Sequence, residues 1–299
     1  MIDDIIATRK RGIISERDKM EKLPVIRFKK SAREKLLNQA GIAIGAYALQ
    51  IAISVVAFII IAMALSGTVL APIMQQLMSV TDEKSLLMVE EQLYDTMGTW
   101  QYWLMSQVIS AFMGALFATL STGYIKICLM ISRTEKPSIK DLFFVYKHNP
   151  DRAILLYLLT FAIQLVIGLP CDILSFYVQA DPENTTLYLI YMVVLTITGV
   201  VTVIFSLMVA MEFYIYVDDP DMPVLDVFKK SIEMMKGNKK RLFALEVSFL
   251  GWLLLCILTC GVLAIWVAPY IQMAVSEFYR TEKGENLWIS TSNYQGNLE

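Results

Sequence analysis

The sequence has few of the residues on which most enzymatic and metal chemistry depends. One of its 299 residues is a histidine, His148, and it lies in a polar stretch between apolar blocks. Histidine-centred catalysis and haem ligation therefore have almost no residue to use. The chain also lacks a phosphate-binding glycine loop, a zinc-protease helix motif and a nucleophile elbow. These absences predict a protein that is not an enzyme and needs no cofactor.

Cysteine is also scarce, and its four positions do not form a complete metal-binding pattern. All four lie within apolar blocks, at Cys128, Cys171, Cys256 and Cys260. The last two are four residues apart and share one helix face, as a metal-binding pair would. No further cysteine or histidine completes a site around them. We therefore expect buried thiols and no metal.

Charged residues are missing from long stretches, and these stretches dominate the composition. Hydrophobic residues make up 56% of the chain, and the mean hydropathy is +0.54. Soluble domains usually contain about 45–50% apolar residues. Apolar blocks of about 18 or more residues have the length of a membrane-spanning helix. They predict an all-α integral membrane bundle of about six spans, at residues 41–65, 102–131, 153–178, 187–217, 242–258 and 262–279.

The last two spans are inferred from a single apolar block, residues 242–279. As one straight helix the block would extend about 60 Å, roughly twice the hydrocarbon thickness of a bilayer. A break at Thr259-Cys260-Gly261, where glycine favours a turn, divides it into two spans, the second bent near Pro269. One span here, and five in total, is the alternative.

Lysine and arginine alternate between the two sides of the predicted membrane. The first 40 residues carry eleven, the segments after the second and fourth spans carry five and six, and the segments after the first and third carry one and none. Cationic residues are retained in the cytoplasm, so this alternation predicts a cell-membrane protein with both termini cytoplasmic. The expected organisation is a basic tail at 1–24, a membrane domain at 25–280 with an acidic external loop at 66–101, and a disordered tail at 281–299.

Each predicted pair of spans follows a short amphipathic stretch, at residues 25–36, 139–146 and 225–235. Ser138 can cap the second stretch, with Asp141 as the partner of a capping box. The tripeptide Lys29-Lys30-Ser31 recurs as Lys229-Lys230-Ser231. This recurrence predicts three repeats, each consisting of an amphipathic helix and a hairpin of two spans.

Basic residues within and just after the first and third of these stretches are candidate contacts for anionic lipid. Amphipathic helices lie in the headgroup plane of a membrane, where their cationic side chains meet anionic lipid. The alternative is that they only support the ends of the spans. The candidate lipid contacts are Lys29, Lys30, Lys229, Lys230, Lys239, Lys240 and Arg241.

Three ionisable residues, Lys126, Glu212 and Glu246, lie inside apolar blocks at a similar depth near the cytoplasmic side. A charge at the centre of a spanning helix costs about 2.5–3.5 kcal/mol on insertion scales. We therefore predict that Lys126 pairs with Glu212 or Glu246 and joins two hairpins. The alternative is that each side chain extends separately to the membrane surface.

Pro170 and Asp172 lie near the outer end of the third predicted span, after Gly168. Glycine and proline together predict a kink in the helix. A broken helix beside a carboxylate can mark a transporter site. The other half of the chain has no counterpart of this kink.

A pattern through the C-terminal third includes Asp218-Asp219-Pro220, Met235-Lys236-Gly237, Gly251-Trp252 and Pro269-Tyr270. In this combination the chain resembles the bacterial multi-pass membrane proteins grouped as domain of unknown function 975, over most of residues 25–280. The family usually has Asp-Asn-Pro where this chain has Asp219 in the middle. The resemblance implies a helical membrane topology; the family has no agreed activity and no catalytic residues to transfer.

Two functions remain open at this point. The first is a non-enzymatic membrane scaffold or accessory protein that engages lipids or partner membrane proteins, based on the amphipathic stretches and the absence of charge at mid-membrane. The second is a small transporter, channel or export component, based on six spans and on Pro170 and Asp172. No folded domain surrounds the basic stretches, so we expect no nucleic-acid binding.

Overall fold

The computed structural model describes residues 25–65 and 99–285, together with the isolated positions 75, 78 and 87. These residues form helices and short connections, and no strand occurs among them. The predicted N-terminal tail and most of the predicted external loop and C-terminal tail lie outside the described residues. The predicted all-α class is therefore confirmed for the part of the chain that the structure describes.

Ten α-helices and a pair of short 3-10 helices follow one another in the described residues. They are α1 (Val25–Asn38), α2 (Ala40–Leu65), α3 (Trp100–Ser132), the 3-10 pair (Ile139–Phe143 and Val145–Lys147), α4 (Pro150–Ala180), α5 (Thr185–Val209), α6 (Glu212–Asp218), α7 (Val224–Met234), α8 (Lys239–Val247), α9 (Leu250–Leu258) and α10 (Ala264–Lys283).

Local sequence explains several helix ends. The side chains of Thr99 and Asn184 accept the N–H three residues further on, at 3.3 and 3.1 Å, and so cap α3 and α5. Cys260 and Gly261 have positive φ angles of 50° and 84° and turn the chain between α9 and α10. The turn lies at the predicted break in the last apolar block.

Within residues 25–65 and 99–285, five helical stretches are long and apolar enough to cross a membrane. They are Ala40–Ile61, Trp100–Ser132, Pro150–Ala180, Thr185–Asp218 and Lys239–Leu258. By length and composition they are compatible with a membrane location and correspond to five of the predicted spans. The sixth predicted span corresponds to α10, whose last turns carry Glu277, Arg280 and Lys283.

The short segments α1, 139–147 and α7 all lie at one end of the bundle, which we call the basic end. The helices α2, α4 and α8 start there, and α3, α6 and α10 finish there. Contacts between distant segments join this end: Lys35 Nζ lies 2.8 Å from the Ser132 carbonyl oxygen, and Asn149 Nδ2 lies 2.7 Å from Asp221 Oδ1.

The core lies in the half of the bundle next to the basic end. All twelve buried residues of α3 lie between Ala118 and Ser132, and the buried residues of α5 are Leu207 and Val209 in its last turn. In the opposite half the helices expose most of their apolar side chains. Such exposed apolar helices are stable where lipid covers them.

Two of the long apolar stretches are interrupted near the basic end, between α5 and α6 and between α8 and α9. Polar side chains of the short segments contact both interruptions. Ser231 of α7 donates to the Met208 carbonyl and accepts the Met211 N–H, both at 3.2 Å. Lys29 of α1 donates to the Ser248 carbonyl at 3.0 Å. Backbone groups released by the interruptions thus find partners.

Candidate functional site

Each of the three short segments packs against the last turns of a long helix. The 139–147 segment lies so close to α3 that a Cβ atom added to Gly123 would lie 1.8 Å from the Leu142 carbonyl oxygen. The α7 segment packs on the α5–α6 interruption through Ser231, and α1 packs on α10, where the Phe28 and Phe278 rings are 5.8 Å apart. The three segments together close the basic end of the bundle.

Glu277 of α10 is the centre of a buried polar network that fastens α1 to the bundle. Its side chain is 1% exposed. Lys35 Nζ lies 2.7 Å from its carboxylate, and the hydroxyls of Ser132 and Ser31 donate to it at 2.6 and 3.1 Å. Arg280 donates to the Ser132 carbonyl and lies 3.7 Å from the carboxylate. The carboxylate therefore has the cationic and hydroxyl partners that a buried charge requires.

The same network continues between α3, α6 and the residues that follow α10. Arg133 pairs with Asp218 at 2.9 Å and with Glu285 at 2.5 Å. Tyr279 and Lys283 donate to Asp218 at 2.7 and 2.5 Å. Charge-assisted bonds of this kind are the stronger class of hydrogen bond. They join the ends of α3, α6 and α10 at one place.

Glu285 has an acidic pKa for a physical reason. Burial alone would raise the pKa of its carboxyl group, but hydrogen bonds from Arg133 and Arg280 outweigh burial and lower the pKa to about 2. The predicted C-terminal tail began at residue 281. The structure instead continues α10 to Lys283 and places Glu285 within the network. This part of the chain is packed because its charges meet partners from α3.

The predicted pairing of Lys126 with Glu212 or Glu246 does not occur in the structure. Lys126 Nζ lies 3.8 Å from Asp141 Oδ1 and 3.8 Å from the centre of the Phe144 ring. Because Gly123 brings the 139–147 segment against this face of α3, Lys126 meets that segment. Glu246 is exposed on α8. The three residues lie at a similar depth in the predicted spans, but depth does not determine which faces of the helices meet.

The candidate lipid contacts divide into two groups. Lys29 is bound to the Ser248 carbonyl and lies 4.5 Å from the centre of the Phe249 ring, and Arg241 pairs with Glu282 at 2.5 Å. These two side chains join elements of the bundle. Lys239 is half-buried. The exposed members of the predicted set are Lys30, Lys229, Lys230 and Lys240.

Pro170 lies inside α4, and the helix continues through it from Pro150 to Ala180. The helix is not interrupted beside Asp172, because proline removes one hydrogen bond here without ending the helix, and the predicted kink at Pro170 stays a prediction. The interruption beside a carboxylate occurs between α5 and α6, where Glu212 begins α6. The sequence has no glycine or proline at that point, so local signals could not reveal it.

Glu212 is buried, with 4% exposure, inside a stretch apolar enough to cross a membrane. The hydroxyl of Thr160 on α4 lies 2.9 and 3.1 Å from its two carboxyl oxygens. Within the described part of the chain, no lysine or arginine lies within ion-pair distance of it. Glu212 thus differs from Glu277, whose partners include Lys35 and Arg280.

A group of neutral polar side chains also lies inside the bundle and was not predicted. The Tyr47 and Tyr124 rings are 5.5 Å apart, and Gln272 donates to the Tyr214 hydroxyl at 2.6 Å. The Tyr124 hydroxyl and the Gln50 carbonyl oxygen have no hydrogen-bond partner among the described residues. These side chains carry no charge, so a search for charges within the apolar blocks did not distinguish them.

Among the residues that the structure describes, no three His, Cys, Asp or Glu side chains are grouped closely enough to hold a metal ion. Comparisons with curated proteins and with solved structures gave no match. A family model matches residues 23–286, nearly all of the described chain. This match confirms the resemblance inferred from the sequence motifs, and the chain therefore belongs to the family described as protein of unknown function (DUF975).

Proposed function

We propose that the protein is a non-enzymatic membrane scaffold or accessory protein that engages lipids or partner membrane proteins at the cytoplasmic face of the cell membrane. The observation that carries this proposal is the construction of the basic end. Three amphipathic segments are fastened to the bundle by buried contacts such as Lys35 with Glu277 and Ser231 with Met208, and their outer faces carry exposed lysines. A rigid, basic surface of this kind suits binding rather than catalysis.

The exposed apolar residues of these segments support contact with lipid headgroups. Lysine side chains attract anionic lipid, while neighbouring apolar side chains insert at the interface. Each of the three segments offers such residues. They are Ile26 and Leu37 on α1, Ile139 and Phe143 on the 3-10 pair, and Leu225 on α7.

We further propose six spans arranged as three hairpins, with α10 as the sixth. The first half of α10 is apolar, and its last turns meet the ends of α3 and α6 at the basic end. Both termini would then be cytoplasmic. Tags placed before Val25 and after Glu299 in intact cells should both be protected from an external protease; an accessible C-terminal tag would contradict the sixth span.

The lipid proposal is tested by purifying the chain in mild detergent and measuring the co-purified lipids. A variant with Lys30, Lys229, Lys230 and Lys240 changed to glutamine should retain at least threefold less anionic lipid, since each lysine near the surface contributes about 1 kcal/mol. The matched control changes the exposed Asp181 and Glu183, at the opposite end, to Asn and Gln. Equal anionic lipid in all three proteins would contradict the proposal.

A small transporter, channel or export component is the second candidate. It is supported by the helix interruption beside Glu212, because interrupted spans that release backbone groups near a carboxylate are found at transport sites. Purified protein in liposomes loaded with a pH-sensitive dye tests it for proton flux. A flux that depends on the protein and is lost in Glu212→Gln would favour this candidate over the scaffold.

A further inference from the structure

Glu212 is the buried carboxyl group that the network at the basic end leaves out. Each acidic residue of the network has at least one cationic partner. Glu277 pairs with Lys35, and Asp218 pairs with Arg133. Glu212 has the Thr160 hydroxyl instead. An ionised carboxylate buried without a cation costs several kcal/mol in effective desolvation, so this group needs a charge-neutralising ligand.

The helices packed around Glu212 do not provide that ligand from their own charged groups. Lys126 of α3 is held by Asp141 and the Phe144 ring, and Arg152 of α4 donates to the Pro220 carbonyl at 3.4 Å. The charged residues of α7 are all exposed: Asp226, Lys229, Lys230 and Glu233. Asp218, in the last turn of α6, is paired with Arg133.

We propose that Glu212 is a proton-binding site and that the resting protein holds it as the neutral carboxylic acid. The proton is transferred from a hydronium ion: one O–H bond of that ion breaks, leaving a water molecule, and one O–H bond forms on a carboxyl oxygen of Glu212. Among the described residues, three oxygen atoms meet at this site: the two carboxyl oxygens of Glu212 and Thr160 Oγ1. Metal cations that prefer oxygen take about six or more ligands, so the geometry favours a proton over a metal ion.

The location of the site beside a helix interruption gives the proton a structural context. Glu212 directly follows Met211, whose N–H is bound by Ser231 of α7. The amphipathic segment α7 therefore contacts the backbone one residue away from the proton-binding group. Release of the proton would leave a buried charge at the point where α7 is attached to the bundle.

The test is infrared difference spectroscopy of the full chain in lipid vesicles at neutral pH. Wild-type protein minus Glu212→Gln should show the carbonyl band of one protonated carboxylic acid. The matched control, wild type minus Glu183→Gln, should show no such band, because Glu183 is exposed in the connection between α4 and α5. If the Glu212→Gln substitution removes an ionised carboxylate band from the spectrum and removes no acid band, the proposal is overturned.

A second variant keeps the carboxyl group and does not depend on the folding of Glu212→Gln. Thr160→Val removes the hydroxyl partner, so the acid band of Glu212 should move to higher frequency as its hydrogen bond is lost. An acid band that is unchanged in Thr160→Val would assign the band to another residue and overturn the proposal. Titration with sodium tests whether a metal cation binds in place of the proton. A rise in thermal stability with sodium in the wild type, absent in Glu212→Gln, would identify a bound cation and overturn the proposal.

Discussion

The two halves of this bundle are built on different principles, and α3 runs through both. Its residues from Trp100 to Phe117 include none that is fully buried, whereas twelve of those from Ala118 onward are buried. The half next to the basic end resembles a soluble protein, with a mixed core and paired charges. The opposite half consists of apolar helices that touch few neighbours.

The long helix α5 shows how little contact holds the opposite half together. Its half-buried residues follow each other at intervals of three or four, the spacing of a single narrow seam against α4. They are Leu187, Tyr191, Val194, Thr198, Thr202, Phe205 and Met208. The comparison teaches that the buried contacts are concentrated at the basic end, while the helices of the opposite half are apolar enough to lie in lipid.

The largest effect is expected where the network is broken. Glu277→Ala leaves Lys35 and Arg280 without their buried anion and should destabilise the protein by about 3–5 kcal/mol. Ile257→Ala, at a side chain 74% exposed in the opposite half, should change stability by about 0.5 kcal/mol or less. Thermal unfolding in detergent compares them; equal losses would remove the distinction between the two halves.

Two glycines, one in each half of the bundle, allow the packing of the two halves to be compared. Gly123→Ala forces the 139–147 segment away from α3, since the added Cβ would overlap the Leu142 carbonyl, and should cost about 1–3 kcal/mol. Gly199→Ala in α5 meets no atom within 4 Å and should be neutral or stabilise the helix by up to about 1 kcal/mol. Chemical unfolding in mixed micelles measures both. A stabilising Gly123→Ala would show that the segment is loosely held.

A smaller effect is expected at the attachment of α7. Ser231→Ala removes two hydrogen bonds at the α5–α6 interruption and should cost about 1–2 kcal/mol. Amide hydrogen exchange around Met211 should become faster. Ser206→Ala is the control, because its hydroxyl bonds within its own helix, to the Val203 carbonyl at 2.9 Å. Unchanged exchange in Ser231→Ala would mean that α7 does not stabilise the interruption.

The smallest expected effect is a loss of folding stability at acidic pH. The pKa of Glu285 is about 2 in the folded protein against an ordinary value of 4.5, so its ionised form stabilises folding fully above pH 4.5. That contribution, about 1 kcal/mol after allowance for its partly exposed site, is lost as the pH falls from 4.5 to 2. The stability difference between wild type and Glu285→Gln should shrink over this window. A difference independent of pH would contradict the assignment.

The helix positions predicted from the apolar runs agree closely with those in the structure. The first predicted span, 41–65, differs by one residue from α2, and the third lies within α4. Ser138 and Asp141 form the predicted capping box, although the segment it begins is a 3-10 helix. Proximity to α3 explains this difference, because the Leu142 backbone must pass Gly123. Short-range signals of this kind depend on residues a few positions apart, so they can be read without a fold.

The candidate site was predicted less well. Glu212 was identified from its charge in an apolar block, but its partner Thr160 and the interruption beside it were not. Lys126 was assigned a partner by depth alone and meets Asp141 instead. Glu277, the centre of the network, lies within the sixth predicted span, but it was not predicted to be a buried charge or a site residue. Each failure concerns which faces of two helices meet, which hydrophobic periodicity does not specify.

The amino-acid sequence by itself determined the apolar helices, their lengths, the turn at Cys260-Gly261 and the family to which the chain belongs. These properties depend on residues close together in the chain. The tertiary structure alone decided that Lys35 meets Glu277, 242 residues away, and that Glu212 meets the Thr160 hydroxyl. The burial and pairing of a charge depend on the faces that packing brings together, and those faces come from segments far apart in the sequence.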